Sequence, residues 1–472
     1  MLTIAPWSFA TVHPGSVGRR GLINRLLGTV GGFSEPLGLL YVGAALRQAG
    51  HEVTLRDGAL EPEAALLDAV RAHRPRVIGL SAMRHNWEPT MALARSLRRA
   101  APRATLVLGG PMASCWQEET LQLCPALDYA VIGEGEQTMV ELCEALEAGA
   151  GVEQLPGLAW RDGQRVVVNA ARPPEGDLDR LPLPDYSLLD LRRYRPSVGF
   201  YNRLPSMNLI TTRGCNRRCT FCVAEGRLRR RSVDAVLDEL ELMVRRHGVR
   251  HVTFYDEGLT ISRRRALELC RRMEQRGLDL TWCANARVDE VDAELLAAMR
   301  RAGCWKLLYG LESGVQKNLD AVGKGTTVEQ ARQAIRLTRE AGIETFGTFM
   351  FGIPGETFAE GLQTIELACS LPLDYASFLN LVPYKGSQIY DDLPRHGRLT
   401  GQWSTNLISF VPHSMTFAQM ARLNELAARR FYRRPSYLAR RLLAVRSLED
   451  LRRNARGLLA FTTIGKGDYR DG

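Results

Sequence analysis

Three cysteines lie close together in the stretch TTRGCNRRCTFC, directly after the apolar run MNLITT. Cys215, Cys219 and Cys222 have the spacing C-x-x-x-C-x-x-C. Thiolates hold iron–sulfur clusters, and a four-iron cluster has four irons to ligate. A group of three cysteines therefore leaves one iron without a protein ligand, and that open iron is a position for chemistry.

A structural zinc site is the other interpretation of clustered cysteines. Zinc usually takes four protein ligands, arranged in two pairs along the chain. No fourth Cys or His lies close to the trio in the sequence. The spacing therefore favours iron–sulfur chemistry over zinc.

An aromatic residue, Phe221, directly precedes the third cysteine. In this respect the motif resembles the signature of the radical S-adenosylmethionine superfamily. The resemblance implies a 4Fe-4S cluster whose open iron binds S-adenosylmethionine, and reductive cleavage of that molecule to methionine and a 5′-deoxyadenosyl radical. It also implies a partial TIM barrel of parallel βα units. Cys215, Cys219 and Cys222 are then the metal ligands and catalytic residues, and Phe221 is a cofactor contact.

The bulk properties are those of an ordinary globular protein. A chain of 472 residues, with 45% apolar and 24% charged residues, suits two or three domains of about 100–200 residues each. The start MLTIAPWSFATVHPG lacks the pattern of a signal peptide, and no run approaches the roughly 18 apolar residues of a membrane span. We therefore expect a cytoplasmic protein with no transmembrane segment. Its ten cysteines then suit metal or redox chemistry better than a disulfide scaffold.

The first 150 residues alternate short apolar runs with amphipathic helical patterns. The strand candidates are LTIAP, EVTLRDG, RVIGLSAM, ATLVLGG and YAVIGEG. Such alternation predicts a parallel α/β sheet with helices on both faces, which binds ligands outside the carboxyl ends of its strands. Glycines at those ends permit close approach of the backbone to a ligand, and we therefore select Gly109, Gly110, Gly133 and Gly135 as candidate cofactor contacts.

The same region resembles the cobalamin-binding domain that precedes many radical S-adenosylmethionine domains. The matching pieces are SEPLGLLYVGAALRQAGHEVTLRDG, LGGP and IGEGEQT. The resemblance implies a Rossmann-like domain that binds cobalamin, although the D-x-H-x-x-G motif that supplies a histidine to cobalt elsewhere is absent. The loop SAMRHNWEPT then places Arg84, His85 and Trp87 near the corrin. For His85 the alternative is a surface or helix-start histidine. For the whole domain the alternative is a vestigial fold that binds nothing.

Residues 151–205 change character. GLAWRDGQRVVVN predicts a hairpin around Asp162-Gly163, and ARPPEGDLDRLPLPDYSLL is a proline-rich linker. Residues 206–395 then contain six apolar strand candidates separated by helical stretches. Six βα units make an incomplete barrel, whose active site is expected at the C-terminal ends of the strands.

Charged residues and glycines fall at those strand ends, where the resemblance implies contacts with S-adenosylmethionine. For the amino group it points to Asp256 or Glu257, and for the ribose and carboxylate to Arg287, Glu312 and Ser313. For the adenine it points to the turn GIPGE, with Gly352 and Pro354. A salt bridge or a helix cap is the plainer interpretation of each charged residue.

Residues 396–472 form a basic region with apolar residues at helical spacing. A helical extension that packs on the barrel and peripheral contact with a membrane surface are both compatible with this pattern. The formal net charge of +10 is spread over arginine-rich helices. Because no nucleic-acid-binding module is recognisable, we expect no nucleic-acid partner.

The resembling family implies a function that uses all three cofactors, namely the 4Fe-4S cluster, S-adenosylmethionine and cobalamin. The leading hypothesis is a radical methyltransferase that methylates an unactivated carbon of a specialised metabolite, lipid or tetrapyrrole. An oxidative cyclase or rearrangement enzyme, similar to the anaerobic magnesium-protoporphyrin ester cyclases, is the second hypothesis. A catalytically silent cofactor-binding protein is the third. The resemblance also implies a reductase partner such as flavodoxin or ferredoxin.

Overall fold

The computed structural model describes residues 2–4, 32–83, 86–197, 199–224, 226–401 and 407–443. These residues form two compact units. The first contains the strand Leu2–Ile4 and residues Phe33–Tyr194, and the second contains Gly32 and the described residues from Arg195 onward. Within these ranges, no helix is long and apolar enough to cross a membrane.

The first unit is built on a seven-stranded sheet with the order β2-β1-β3-β4-β5-β6-β7. β1 to β5 are parallel, which confirms the predicted α/β sheet. Strand order reverses at β1 and β3, so the crevice expected for a ligand opens beside their carboxyl ends. The strands are β1 (Leu2–Ile4), β2 (Leu55–Asp57), β3 (Val77–Ser81), β4 (Thr105–Gly109), β5 (Tyr129–Val131), β6 (Leu158–Asp162) and β7 (Arg165–Val168).

The predicted hairpin around Asp162-Gly163 is the pair β6–β7. β6 pairs antiparallel with β5, so the hairpin extends the first sheet. A hairpin is a local feature and was therefore visible in the sequence, whereas its partner strand is set by the unpaired backbone groups that β5 presents at the sheet edge. The division at residue 150 remains a prediction of where the cobalamin-binding domain ends.

Helices cover both faces of this sheet. Leu66 of α2 and Leu93 of α3 pack with Ile78 and Leu106 in one buried core cluster, while α1 and α6 pack against each other outside that cluster. The helices are α1 (Leu37–Gln48), α2 (Glu63–His73), α3 (Trp87–Ala100), α4 (Pro111–Trp116), α5 (Glu118–Leu123) and α6 (Gly135–Ala148). The proline-rich segment adds three short 3-10 helices at Leu178–Arg180, Tyr186–Leu188 and Leu191–Arg193.

The second unit contains a six-stranded sheet with the order β8-β11-β12-β13-β14-β15. Every pair in it is parallel, so each strand follows its neighbour through a crossover, as the predicted incomplete barrel requires. The strands are β8 (Ser206–Leu209), β11 (His251–Phe254), β12 (Thr281–Ala286), β13 (Cys304–Glu312), β14 (Glu344–Phe351) and β15 (Tyr375–Asn380). A separate antiparallel ribbon joins β9 (Thr212–Arg213) to β10 (Arg229–Arg230).

Side-chain caps define where the crossover helices begin. The hydroxyls of Thr327 and Thr357 accept a backbone N–H in capping boxes at the starts of α11 and α12, which satisfies donors that a helix leaves unpaired. The helices are α7 (Val233–His247), α8 (Arg263–Gln275), α9 (Ala293–Arg301), α10 (Gln316–Ala321), α11 (Val328–Glu340), α12 (Phe358–Ser370), α13 (Gln388–Asp391), α14 (Leu393–His396), α15 (Phe417–Tyr432) and α16 (Pro435–Leu443).

The prediction of helix from residue 396 is wrong over its first part. β16 (Gly397–Leu399) and β17 (Phe410–Pro412) form an antiparallel pair there. A Cβ at Gly397 would lie 2.2 Å from the carbonyl oxygen of Val411, so this crossing needs glycine. The basic helical pattern begins at Phe417 with α15 and α16, and residues 444–472 lie outside the described part of the chain.

Tyr194 anchors the end of the first unit. Its hydroxyl donates a hydrogen bond of 2.7 Å to Asp57, and both side chains are buried. Because burial already raises the pKa of the Asp57 carboxyl, Tyr194→Phe should lower the free energy of unfolding by about 1–3 kcal/mol in urea titrations. Tyr129→Phe is the control, since the Tyr129 hydroxyl has no hydrogen bond among the described residues. Equal stability of the two variants would contradict this role.

Candidate active site

The three cysteines lie on the loop that follows β9. Cys215 and Cys219 are partly buried, Cys222 is exposed, and none of them forms a disulfide. Burial raises the pKa of the Cys222 thiol, and the neighbouring charges of Glu257, Cys219 and Cys215 add to this effect. Among the described residues no three His, Cys, Asp or Glu side chains converge as they would around one metal ion. Three free thiols on one loop suit a cluster, in which each thiolate binds a different iron.

A buried carboxylate holds the start of this loop. Asp256, 1% exposed, accepts the backbone N–H groups of Thr211 at 2.6 Å and Thr212 at 2.8 Å on one oxygen. Its other oxygen accepts the Thr211 hydroxyl at 2.6 Å. Burial raises the pKa of Asp256, while these hydrogen bonds and the charge of Arg265 oppose that rise. Asp256 therefore ties the end of β11 to the segment that leads into the cysteines.

The other side of the loop is anchored by apolar packing and backbone bonds. Phe221 packs against a buried cluster that includes Ile353 and Phe410. The Thr220 N–H donates to the carbonyl of Val322 at 3.0 Å, and the Thr220 carbonyl accepts the N–H of Ile389 at 3.1 Å. The aromatic residue of the motif is thus partly buried against this core cluster.

A cavity of about 270 Å³ opens at the C-terminal ends of β11 to β14. It lies beside the cysteine loop, since Arg217 of that loop donates a hydrogen bond of 2.6 Å to Glu290, a residue of the cavity wall. This is the end of the barrel where the sequence placed the active site. The lining residues are Glu257, Thr260, Asn285, Ala286, Arg287, Glu290, Leu308, Tyr309, Gly310, Lys324 and Thr348.

Carboxylates hold one arginine of this wall and one arginine of the cysteine loop. Arg287 binds Asp289 through two nitrogens, at 2.9 and 3.2 Å, and donates to the carbonyl of Lys324 at 2.8 Å. Glu290 accepts Arg217, from the cysteine loop, at 2.6 Å. Although burial lowers the pKa of Arg287, these acidic neighbours raise it overall. Our sequence analysis missed Glu290, whose signal is the acidic pair that follows Arg287 within one turn.

The predicted contact Glu312 lies above Gly310. Its carboxylate pairs with Lys324 at 2.7 Å, and a Cβ at Gly310 would lie within 2.8 Å of both partners. Glu312 has φ +59°, and the register between β13 and β14 shifts between Gly310 and Glu312. Such a bulge re-aims a side chain at the end of a strand. Lys324 was also missed, because it follows α10 and its approach to Glu312 is a tertiary contact.

The structure separates the two acids predicted for one role. Asp256 is occupied with the cysteine loop, whereas Glu257 is exposed and lines the cavity. Ser313 is buried, where its hydroxyl contacts Thr364 at 3.1 Å and accepts Asn318 at 3.3 Å. Neither Asp256 nor Ser313 is among the cavity-lining residues.

The GIPGE turn is organised by its own glutamate. Glu356 is fully buried and accepts the N–H of Gly352 at 2.7 Å and of Ile353 at 3.3 Å. Gly352 has φ +89°, and a Cβ there would lie 2.8 Å from Met420. Pro354 is partly buried beside them. Glu356 therefore fixes the conformation of a turn that the sequence analysis read only as a cofactor contact.

In the first unit, the predicted glycines lie at the carboxyl ends of β4 and β5. The Gly109 carbonyl accepts the N–H of Ala82, and a Cβ at Gly110 would lie 2.9 Å from the Ala82 carbonyl. The Gly133 N–H donates to the Ser114 hydroxyl at 2.9 Å, and Gly135 begins α6. These contacts draw the loops after β3, β4 and β5 together at one edge.

Trp87 begins α3 and stacks on Trp116 with ring centroids 6.4 Å apart. Both rings are partly buried. Trp116 is a further aromatic side chain at this edge that our sequence analysis did not select. The predicted contacts Arg84 and His85 lie outside the described residues.

Comparison with known proteins defines the family. A B12 binding domain model matches residues 23–143, and a radical SAM superfamily model matches residues 209–368. The uncharacterized methyltransferase PH0819 of Pyrococcus horikoshii is 30% identical over 448 residues, which cover 93% of this chain and 95% of that protein. The chain belongs to the cobalamin-binding radical S-adenosylmethionine family. It is an enzyme, and its cofactors are cobalamin, S-adenosylmethionine and a 4Fe-4S cluster.

Two further proteins are similar to this chain. The anaerobic magnesium-protoporphyrin IX monomethyl ester cyclase of Cereibacter sphaeroides is 32% identical over 384 residues, which cover 77% of this chain and 61% of that protein. A second match is the structure of the radical S-adenosylmethionine methyltransferase TsrM from Kitasatospora setae, with cobalamin and a [4Fe-4S] cluster bound. The match covers 88% of this chain and 82% of the TsrM chain. It superposes with a TM-score of 0.67 at 20% identity. The similarity to TsrM shows the shared fold.

Asp256→Ala should release the cysteine loop, because it leaves two buried backbone N–H groups without an acceptor. After anaerobic reconstitution we expect less than half the iron per chain of the wild type. Asp256→Asn should retain most of the iron, since its amide oxygen accepts both N–H groups and its NH₂ donates to Thr211. Glu257→Gln is the matched control. Equal iron content in Asp256→Ala and the control would refute the positioning role.

Glu356 should make stability depend on pH. Burial raises its pKa to about 8, from 4.5 for an ordinary glutamate, so between these values only the folded protein holds the proton. Its stabilising contribution is complete at low pH and falls as the pH rises toward about 8, by up to about 1.4 kcal/mol per pH unit. Urea titrations should show Glu356→Gln gaining about 2 kcal/mol relative to wild type from about pH 5.5 to 7.5. Parallel curves for the two proteins would argue against a neutral buried carboxyl.

Proposed function

We propose that this enzyme methylates an unactivated carbon of a small molecule, of the specialised metabolite, lipid or tetrapyrrole class. When bound, the cluster and S-adenosylmethionine supply a 5′-deoxyadenosyl radical, and methylcobalamin supplies the methyl group. The observation that carries the proposal is the set of three free thiols beside a charged cavity at the strand ends. The methyltransferase named among its relatives supports methylation as the outcome.

The residues of this chain divide the work of binding. Cys215, Cys219 and Cys222 hold the cluster, and Asp256 keeps their loop against the end of β11. Glu257 is the exposed acid of the cavity wall, whereas the other, Glu290, is paired with Arg217. We therefore assign Glu257 the contact with the amino group of S-adenosylmethionine. A charge-assisted hydrogen bond from an ammonium to a carboxylate is stronger than a neutral one. Phe221 supports the loop by packing against the buried apolar cluster that includes Ile353 and Phe410.

Ion pairs within the protein hold two charged side chains of the cavity wall in place without a ligand. Arg287 and Lys324 each have a carboxylate partner, Asp289 and Glu312. Such pairs hold their side chains in one geometry in a poorly hydrated site, where fixed dipoles act strongly. We assign Arg287 and Glu312 to the ribose and carboxylate side of the ligand, and the turn at Gly352 and Pro354 to the adenine side.

The first unit takes cobalamin at the edge where β3, β4 and β5 end. Gly109, Gly110 and Gly133 bring backbone close to that edge, and Trp87 adds an aromatic face. Glycines suit the close approach of a large flat ligand to the main chain. Cysteines and glycines thus serve different cofactors, so their losses are separable by experiment.

Metal analysis tests this division. Protein reconstituted anaerobically with iron, sulfide and hydroxocobalamin should bind about four irons and one cobalt per chain. The variant with Cys215, Cys219 and Cys222 changed to alanine should lose the iron and keep the cobalt, because the cobalamin edge is built from other residues. Iron without cobalt in the wild type would exclude a methylcobalamin mechanism.

Glu257→Gln should weaken binding of S-adenosylmethionine by about tenfold or more, which corresponds to the loss of about 1.5–3 kcal/mol for a hydrogen bond to a charged group. Isothermal titration of the reconstituted protein measures this loss. Glu340→Gln, which removes one exposed carboxylate at the end of α11, is the control. Unchanged affinity in Glu257→Gln would assign the amino contact to another residue.

Oxidative cyclisation is the second candidate, because the Cereibacter sphaeroides cyclase has a comparable identity of 32%, although the match covers only 61% of that protein. S-adenosylmethionine with a deuterated methyl group separates the two. Both reactions form 5′-deoxyadenosine, but only methylation transfers the label to the product, whereas cyclisation leaves the product unlabelled.

A further inference from the structure

Glu290 lies between an arginine of the cysteine loop and an arginine of the cavity wall. Its side chain is only 6% exposed. The Oε1 atom accepts a hydrogen bond from the Nη2 atom of Arg217 at 2.6 Å, and the Nε atom of Arg287 lies 3.6 Å from the same oxygen. One carboxylate oxygen therefore serves two cations, of which one belongs to the loop and the other to the cavity.

The second oxygen of Glu290 is also occupied. The Thr260 hydroxyl donates to the Oε2 atom at 2.6 Å, and Thr260 is 2% exposed in the loop that follows β11. The Glu290 N–H donates to the carbonyl of Arg287 at 3.2 Å, just after β12 ends. Because donors from two different loops fix both oxygens, the carboxylate is held in one orientation.

A second carboxylate completes this network. Asp289 binds Arg287 at 2.9 and 3.2 Å and lies 3.9 Å from Arg217. Two arginines and two carboxylates thus alternate, and their formal charges cancel. The side chains of Arg287 and Asp289 are only 13% and 16% exposed. Charges with little exposure are screened much less by salt than surface charges, which favours a lasting link between the wall and the loop.

The place of Arg217 in the cysteine motif gives this link its consequence. Arg217 follows Cys215 by two residues and precedes Cys219 by two. Its side chain therefore holds the short backbone segment between the first two thiols of the trio. Asp256 holds the start of the loop, before the motif begins. The pair between Arg217 and Glu290 is thus an anchor within the motif itself.

We propose that Glu290, acting through Arg217, positions the cysteine loop against the cavity and so sets how the cluster meets S-adenosylmethionine. The inference rests on the proposed function, since it takes the three thiols as the ligands of the cluster. Glu290 is a positioning residue, because it holds Arg217 whereas the thiolates hold the iron. A misplacement of about 1 Å at a reacting centre costs about a hundredfold in rate, so a small shift of the loop has a large effect.

Affinity for S-adenosylmethionine, measured by isothermal titration of anaerobically reconstituted protein, tests this role. Arg217→Gln and Glu290→Gln should each weaken binding about tenfold, as expected for the loss of a coupled pair. Both variants should keep the iron content of the wild type, because the three thiols and the anchor at Asp256 remain. Arg217→Lys should recover part of the affinity, since an ammonium still pairs with a carboxylate but lacks the fork of a guanidinium.

The double variant tests whether Glu290 acts through Arg217. If it does, Arg217→Gln/Glu290→Gln should bind S-adenosylmethionine no more weakly than either single variant, because each single change already breaks the pair. Multiplied effects of the two changes would show that Glu290 contacts the ligand directly, and would overturn the proposal. Arg245→Gln is the matched control. It removes one arginine of an exposed ion pair on α7 and should change the affinity less than about twofold.

The electron paramagnetic resonance signal of the dithionite-reduced cluster is a readout that a loss of stability alone does not move. Addition of S-adenosylmethionine should change this signal in the wild type and in Arg245→Gln, because a ligand at the open iron alters its surroundings. The same concentration should change it less in Arg217→Gln and Glu290→Gln. An equal change in all four proteins would contradict the positioning role.

Two outcomes separate this inference from the proposed function. If the reduced wild type gives no cluster signal, the assignment of the cluster fails, and the inference fails with it. If the wild type gives the signal and binds S-adenosylmethionine, but Arg217→Gln and Glu290→Gln bind it equally well, the positioning role alone fails. Loss of iron from both variants would show that the pair retains the cluster instead of positioning it, and would also overturn the proposal.

Discussion

The hydrogen bonds of one buried carboxylate hold the chemistry of this protein in place. Asp256 accepts two backbone N–H groups and one hydroxyl from Thr211 and Thr212. Desolvation makes a buried charge costly unless such donors surround it, so the carboxylate and the cysteine loop stabilise each other. Phe221 also packs against a buried apolar cluster, so the loop is anchored at a second point, and the three thiols stay near the strand ends.

Paired charges give the cavity its character. Arg287 with Asp289 and Lys324 with Glu312 are tied into ion pairs, and Gly310 leaves room for the second pair. The exposed acid of the wall is Glu257. Because charged groups in a confined site act most strongly when they are held in place, this arrangement favours recognition of a zwitterionic ligand at defined positions.

The first unit shows a different use of the backbone. Gly109 and Gly110 bind the loop after β4 to the loop after β3, at an edge to which Trp87 and Trp116 contribute a stacked pair. The hairpin β6–β7 completes the sheet on the other side of β5. The parallel strands thus keep their carboxyl ends together, where main chain and aromatic rings lie side by side.

The sequence by itself determined the class of both folds and predicted the metal ligands. Alternation of strands and helices is a local pattern, and the spacing of Cys215, Cys219 and Cys222 is written directly in the chain. Tertiary structure decided which strand the hairpin joins, and that Asp256 faces the loop while Glu257 faces the cavity. It also decided that Lys324 meets Glu312, because contacts between residues distant in sequence depend on the register of strands and on one bulge in β13. Such contacts leave no periodic signal in the sequence, so the wall of the site became visible only when the strands were assembled.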